Sequence, residues 1–339
     1  MVIYRIGSQD LKVYEVSQNS IKESKKEFPG SLLVINLFKA HNNLKELIDE
    51  KDSHFLKGEL NDNQVRGARI SVLPNGQKLD KAYSLFAPKL TIHDEKSSSH
   101  WDVIFQNPNG KMAYLYTLEK SNLSTAKKYE QVEEFEKLLP RLKRNLAKNL
   151  SKDPIVLPLE ILLKTKMRVG NELYYKQNSH KGLTTLKKKD VKVSGNKVVF
   201  DYVGKSGVPQ KITEIFPEVI VKELSKLLRK KKSDDFVFTK NNKPIKDTEF
   251  EKAFKKYCGK KFYPHIIRSH YATEETIKFL EDNPSPTKDE VKEFYTKIAE
   301  KLGHKKFSKK KNEWQDSYQI TMHHYINPKL VEKINSIIS

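Results

Sequence analysis

Cysteine is almost missing from this sequence: Cys258 stands alone among 339 residues. One thiol excludes an intrachain disulfide and any zinc site assembled from several cysteines. It fits an intracellular, reducing setting. Long apolar runs are missing too. No stretch approaches the roughly 18 to 20 residues that a membrane span needs, so no membrane partner is expected. The N-terminal MVIYRIGSQDLKVYEV has no uninterrupted apolar stretch leading into small residues, so no secretory signal is expected. A nucleotide-binding glycine loop is also lacking, because VGKSG (203–207) does not have the spacing of a phosphate-binding P-loop. There is no zinc-protease helix motif and no run of carboxylates suited to paired magnesium ions. The sequence therefore predicts neither a metal site nor a cofactor.

What is abundant is positive charge, and it is unevenly placed. The formal net charge is +21. Residues 1–122 hold 17 Lys+Arg against 15 Asp+Glu, whereas residues 123–339 hold 47 against 28. Compositional bias would raise lysine everywhere and does not explain this asymmetry. Such a field favours a polyanion, and nucleic acid is the commonest one. Apolar residues make up 37% of the chain, enough for a buried core in each of two domains.

The texture of the chain changes near residue 123. Before it, SLLVINLF (31–38) reads as a buried strand. RGARISVLPNG (66–76) and WDVIFQNPNGKMAYLYTLE (101–119) run into Pro-Asn-Gly turns, the second as a hairpin. KSSSH (96–100) reads as a loop. After it, helical spacing dominates. A helix is predicted over 126–150, broken or kinked at Pro140, and another over 154–169. Residues 180–215 read as short β runs divided by Ser-Gly-Asn and Lys-Ser-Gly turns. Helices return over 216–231, 249–258, 265–281 and 288–303, the last ending at Gly303. The lysine runs RKKK (229–232) and KKFSKKKN (305–312) read as solvated loops. The expected fold class is α+β. It comprises a small β-rich N-terminal domain (1–122) and a mainly helical C-terminal domain (123–339) with a small β-hairpin sheet.

A nucleic-acid enzyme without metal ligands must stabilise a phosphoryl transition state with its own cations and supply its own nucleophile. Residues of those types stand at element junctions here. Arg168 closes an apolar helix before a glycine. Lys205 occupies a hairpin turn. His265 and Arg268 share one helix face at His-x-x-Arg spacing. His304 follows a helix ending in Leu-Gly, and Tyr325 precedes Pro328, where a helix restarts.

These blocks resemble type IB DNA topoisomerases of the small poxviral and bacterial kind, and the giant-virus version above all. The likeness runs through TKMRVGNELYYKQNSHKGLTTLKKKDVKV, DYVGKSG, YPHIIRSHYAT, LGH and YINP, in the family's order, over roughly residues 65–335. It implies a catalytic domain of the tyrosine recombinase/topoisomerase IB type. It further implies that Tyr325 attacks a backbone phosphate to form a 3′-phosphotyrosyl link. Arg168 and Arg268 would grip the nonbridging oxygens, Lys205 would protonate the departing 5′-oxygen, and His304 would donate to a phosphate oxygen. Duplex DNA would be the partner and a monomeric clamp the working form. The setting would be intracellular, the host cytoplasm or virion of a virus. Lys111, Tyr114 and Tyr116, on the candidate hairpin of the first domain, would contact DNA, and His265 would contact the phosphate site or the DNA backbone.

Two alternatives stay open. His304 and Tyr325 are 21 positions apart, farther than in the small family members, so KKFSKKKNEWQDSYQITMH reads as an insertion containing a second tyrosine, Tyr318. The Tyr-x-x-Pro sequel favours Tyr325. A tyrosine site-specific recombinase would use the same residue types, and His-x-x-Arg suits it, although such enzymes usually begin with a helical domain. A non-catalytic DNA-binding protein would keep the charge without the chemistry.

Overall fold

The computed structural model describes residues 2–62, 64–67, 70–93, 101–107 and 110–338. The expected loop at 96–100 and the central Pro108 and Asn109 of the expected hairpin turn lie outside them. The chain divides into two compact units, Met1–Lys127 and Lys128–Ser339.

The first unit is built from short antiparallel strands around one helix. Strands β1 (Ile3–Ile6), β2 (Val13–Ser17) and β3 (Ser20–Glu23) precede helix α1 (Pro29–Ala40). Strands β4 (Glu59–Asn61) and β5 (Gln64–Arg66) complete a five-stranded sheet of order β3-β2-β1-β4-β5. Strands β6 (Ile70–Val72) and β7 (Lys78–Tyr83) pair with each other. Strands β8 (Thr91–Ile92), β9 (Val103–Gln106) and β10 (Met112–Leu115) form a third sheet of order β10-β9-β8. The predicted hairpin is β9–β10, with Val103 opposite Leu115 and Gln106 opposite Met112.

One expectation fails here: SLLVINLF is helix, not strand. An apolar run of this length is ambiguous by periodicity. The burial settles it, because Val34, Ile35 and Phe38 are buried while Leu32 and Leu33 are 54% and 48% exposed. That is one face of a helix, and Pro29 starts it where a missing N–H costs nothing. A strand would have buried alternate residues.

The division between units falls within helix α2 (Leu118–Asn149). The expected interruption at Pro140 does not end this helix. Pro140 removes one backbone donor, but Tyr129, Val132 and Phe135 before it and Leu142 and Leu146 after it are buried, and their burial holds both halves in register. Helices α3 (Val156–Thr165) and α4 (Glu172–Asn178) follow. Residues 180–190 are not strand as expected: 3₁₀ turns occupy Leu183–Thr185 and Lys188–Asp190. Strands β11 (Val191–Ser194), β12 (Lys197–Val203) and β13 (Pro209–Ile215) then form an antiparallel sheet in sequence order.

Next come α5 (Glu218–Arg229), the short pair β14 (Thr239–Lys240) and β15 (Lys243–Pro244), α6 (Asp247–Cys258), α7 (Ile266–Asp282) and α8 (Lys288–Lys301). Thr287 caps α8 reciprocally with Glu290. The lysine run after α8 is a loop only in its second half: Lys305–Ser308 is strand, and 309–312 is the turn that follows it. Strands β16 (Lys305–Ser308) and β17 (Glu313–Asp316) make a hairpin, with Phe307 opposite Trp314. Asn312 takes the left-handed conformation at its turn (φ 53°), which asparagine tolerates better than most residues. The aromatic cross-strand pair offsets the poor strand preference of the lysines. The short helix α9 (Gln319–His324) and α10 (Pro328–Ile338) close the chain.

The core of this unit joins α2, α3, α5, α6 and the three-stranded sheet through residues such as Phe135, Leu162, Phe200 and Phe254. A second cluster packs α7, α8 and α10 around Tyr295, Ile298 and Ile334, and it includes Tyr325 and Ile326. Among the described residues, no helix is long and apolar enough to cross a membrane.

Candidate active site

A cleft of about 440 Å³ in the second unit is lined by Arg168, Lys205, His265, Arg268, His304 and Tyr325. Five of these are the residues expected to carry the chemistry, drawn from positions 157 residues apart at the extremes. The sixth, His265, was expected only as a phosphate-site or DNA contact.

Each is placed by identifiable local structure. Lys166 turns the chain at the end of α3 in a left-handed conformation (φ 58°). Beyond it, the carbonyls of Arg168 and Val169 accept the backbone N–H groups of Leu183 and Thr184 at 2.8 and 2.7 Å. The two segments touch at Gly182, where an added Cβ would stand 2.7 Å from the Arg168 carbonyl oxygen and 2.6 Å from the Gly170 nitrogen. Only glycine permits that approach, which explains why Gly-Leu-Thr-Thr accompanies Arg168. Lys205 is exposed on the tight turn joining β12 to β13, where Ser206 and Gly207 both have positive φ (64° and 82°).

Arg268 is the most buried cation of the site, at 2% exposure. Its guanidinium donates to the carbonyls of Lys166 and Leu302 and lies 3.0 Å from His304 Nε2. Among the described residues its Nε has no partner. Burial, and Arg168 beside it, push Arg268 down to about 10, so it stays charged at neutral pH. His304 follows Gly303 (φ 66°) and is itself buried. Because Arg268 can only donate, His304 Nε2 accepts. Nδ1 then carries the ring proton and donates to Thr321 Oγ1 at 2.7 Å.

Tyr325 is 4% exposed and sits where α9 meets α10. Arg168 donates to its hydroxyl at 3.0 Å, and His265 Nε2 lies 2.8 Å away. Burial, with Arg268 and Arg168 nearby, pushes His265 down to about 3. Burial and the same two arginines push His304 down to about 2. Both imidazoles are therefore neutral at pH 7. A neutral His265 can accept a hydrogen bond from the phenol while Arg168 donates to the same oxygen, which fixes the hydroxyl in place. Tyr318 lies outside the cleft and stacks on Tyr295 at 5.8 Å between centroids.

Several supports escaped the sequence reading. Tyr129 donates to the Ile326 carbonyl and Lys128 to that of His324, bracketing Tyr325 on both sides. Burial lowers Lys128 to about 8. Thr321 orients His304. None had a local signal, since a buried threonine or tyrosine on a helix looks like any other core residue. In the first unit, Lys111 is exposed just before β10, Tyr114 is exposed within it, and Tyr116 is half-buried just past its end. The fold also assembles a cluster that sequence inspection did not anticipate. Glu136, His270 and Glu274 bring one potential ligand atom each within 4.8 Å of one another, outside the cleft. His270 already pairs with Glu136.

Residues 119–333 match the family described as eukaryotic DNA topoisomerase I, catalytic core. The chain belongs to that family. The match covers well over half of the chain and spans every residue of the cleft. A DNA topoisomerase 1B of Acanthamoeba polyphaga mimivirus is 29% identical over 104 residues, which are 29% of this chain and 31% of the relative. The chain thus aligns with about a third of that topoisomerase's length. Two crystal structures of the site-specific recombinase XerH bound to difH substrate, post-cleavage and pre-cleavage, are also similar. Each is 15% identical, with TM-scores of 0.36 and 0.31, covering 59% of this chain and 51% and 52% of theirs.

Proposed function

We propose that this chain is a type IB DNA topoisomerase, an isomerase that relaxes supercoiled duplex DNA by transient cleavage of one strand. The observation that carries the reading is the Tyr325 hydroxyl held between the Arg168 guanidinium and the neutral His265 ring, with Arg268 and His304 buried beside it. Tyr325 is the nucleophile. Its oxygen attacks a backbone phosphorus as His265 takes its proton. The Tyr–O–P bond forms, the bond from phosphorus to the 5′-oxygen breaks, and Lys205 donates a proton to that oxygen. Arg168 and Arg268 neutralise the nonbridging oxygens, a task that suits planar guanidinium forks. His304 donates to a phosphate oxygen in the tautomer whose proton sits on Nε2, in which the Thr321 hydroxyl turns to donate to Nδ1 and the Arg268 contact passes to phosphate. The free 5′ end rotates, and its hydroxyl reverses the attack. The phosphotyrosyl link keeps the energy of the broken bond, so the reading assigns no nucleotide and no metal to the reaction.

In this reading the protein is intracellular and viral in kind. It works as a monomeric clamp, with the first domain contacting DNA through Lys111, Tyr114 and Tyr116. A second reading, tyrosine site-specific recombinase, is favoured by one observation, the contact of His265 with Tyr325. A relaxation assay on supercoiled plasmid without ATP or magnesium separates the two. Relaxation of both supercoil signs is expected. Ordered cleavage of paired sites without relaxation would overturn the topoisomerase reading.

A further inference from the structure

The β16–β17 hairpin takes no part in the chemistry above, yet it stands at the mouth of the cleft. Lys305 lines the cleft together with Lys205. Trp314 reaches to 3.9 Å from the point where a Cβ on Gly207 would stand, so the hairpin abuts the Lys205 turn. Phe307 and Trp314 pack edge-on at 5.3 Å and give the hairpin an apolar spine. Its remaining surface is cationic. Residues 305–312 contain five lysines and no acid. Lys305 and Lys311 have acidic neighbours across the hairpin, Asp316 and Glu313, at 4.0 Å. Lys306, Lys309 and Lys310 are exposed and, among the described residues, have no acidic partner.

Five like charges on a short hairpin repel one another, and nothing in the fold requires them there. Lysines do blunt exposed strand edges against aggregation, but glutamates would serve equally. The sign of the charge, and its place beside the residue assigned to the departing 5′-oxygen, call for a phosphate backbone. We infer that this hairpin is a DNA-contacting element, with Lys306, Lys309 and Lys310 binding backbone phosphates of the duplex at the rim of the cleft. The inference rests on the reading of the cleft as a DNA-cleaving site. It concerns affinity and position on the duplex, since phosphate contacts carry no base identity.

The test is the salt dependence of duplex binding, measured by fluorescence anisotropy in a Tyr325→Phe background so that cleavage does not intervene. Each phosphate contact contributes about 0.9 to the slope of log affinity against log salt. The triple variant Lys306→Glu, Lys309→Glu, Lys310→Glu is expected to lower that slope by roughly 1 to 3, and the triple alanine variant by a similar amount. A matched reversal at Lys222, Lys226 and Lys230 leaves it unchanged, because neither α5 nor the Lys230 that follows it contributes a residue to the cleft lining, whereas the hairpin contributes Lys305. An unchanged slope in the hairpin variants, or an equal loss in the α5 control, overturns the inference. Covalent cleavage by the chain with Tyr325 intact reports separately on the reading beneath it. A hairpin-dependent slope without any cleavage would keep the hairpin contact and reject the topoisomerase.

Discussion

Arg268, His304 and Tyr325 stand on the inner wall of the cleft, at 2%, 6% and 4% exposure, each tied to carbonyls or side chains of other elements. Lys205 and Lys305 stand at its rim, one exposed on a turn and the other half-exposed at a strand end. The wall was desolvated when the chain folded, so its groups are already aimed and its histidines already neutral. The rim keeps its hydration until a ligand removes it. Preorganised dipoles and charges in a dry site are worth more to a transition state than the same groups in water. A change in the wall should therefore damage fold and chemistry together, whereas a change in the rim should damage chemistry alone.

Lys205→Ala gives the largest expected effect of the variants that divide wall from rim. It removes the group assigned to the departing oxygen and should slow single-turnover cleavage by about 10²- to 10⁴-fold, with no change in melting temperature. A substrate whose departing 5′ atom is sulfur needs no proton and should recover most of the loss. Failure of that rescue would move Lys205 from proton donor to phosphate contact. Arg268→Ala should slow cleavage by about 10²- to 10³-fold, on the scale of losing one transition-state donor. It should also destabilise the chain by about 1–3 kcal/mol, because the Lys166 and Leu302 carbonyls and His304 lose their donor. Denaturant titration checks the second part, and an unchanged midpoint would break the contrast between wall and rim.

A smaller effect concerns pH. The ordinary histidine value is 6.5, and the folded values are about 3 for His265 and about 2 for His304. An unfolded chain takes up protons on these rings near 6.5, whereas the folded chain does not. The stability they contribute is therefore complete above about pH 6.5 and is lost progressively as pH falls from there to the folded values of about 3 and about 2. Denaturation midpoints at about pH 7.5 and about pH 5 should differ, with the lower pH less stable. The difference should shrink in His265→Asn. The cleavage rate should show no inflection at 6.5 from either ring. The smallest effect belongs to Tyr318→Phe, outside the cleft, which should leave cleavage unchanged within about twofold, as expected of a substitution away from the site's network.

The residues that line the cleft were legible as candidates, because Arg168, Lys205, His304 and Tyr325 each sit at a junction marked by glycine or proline, while their proposed roles came from the family resemblance. Those punctuation residues fix where a chain turns, and turns are where a side chain can face a cleft. Arg268 and His265 were legible as one helix face from their spacing. What the residues touch was not legible. The contact of His265 with the Tyr325 hydroxyl joins segments 60 residues apart, and nothing local announces it. The helix at Pro29–Ala40 was misread because a short apolar run suits a buried strand and a buried helix equally. The Lys305–Asp316 hairpin was misread because lysine disfavours strands, and only the pairing of Phe307 with Trp314 outweighs that. The Glu136–His270–Glu274 cluster needed α2 and α7 to meet, which no spacing in the chain foretold.

The central claim is that Tyr325, activated between Arg168 and His265, becomes covalently joined to DNA. The direct measurement is to trap the protein on a nicked or suicide duplex, digest the adduct, and map the modified peptide. The account predicts a 3′-phosphotyrosyl link on the peptide containing Tyr325, abolished by Tyr325→Phe. A link on Tyr318, or no covalent adduct from a folded chain that binds the duplex, would contradict it.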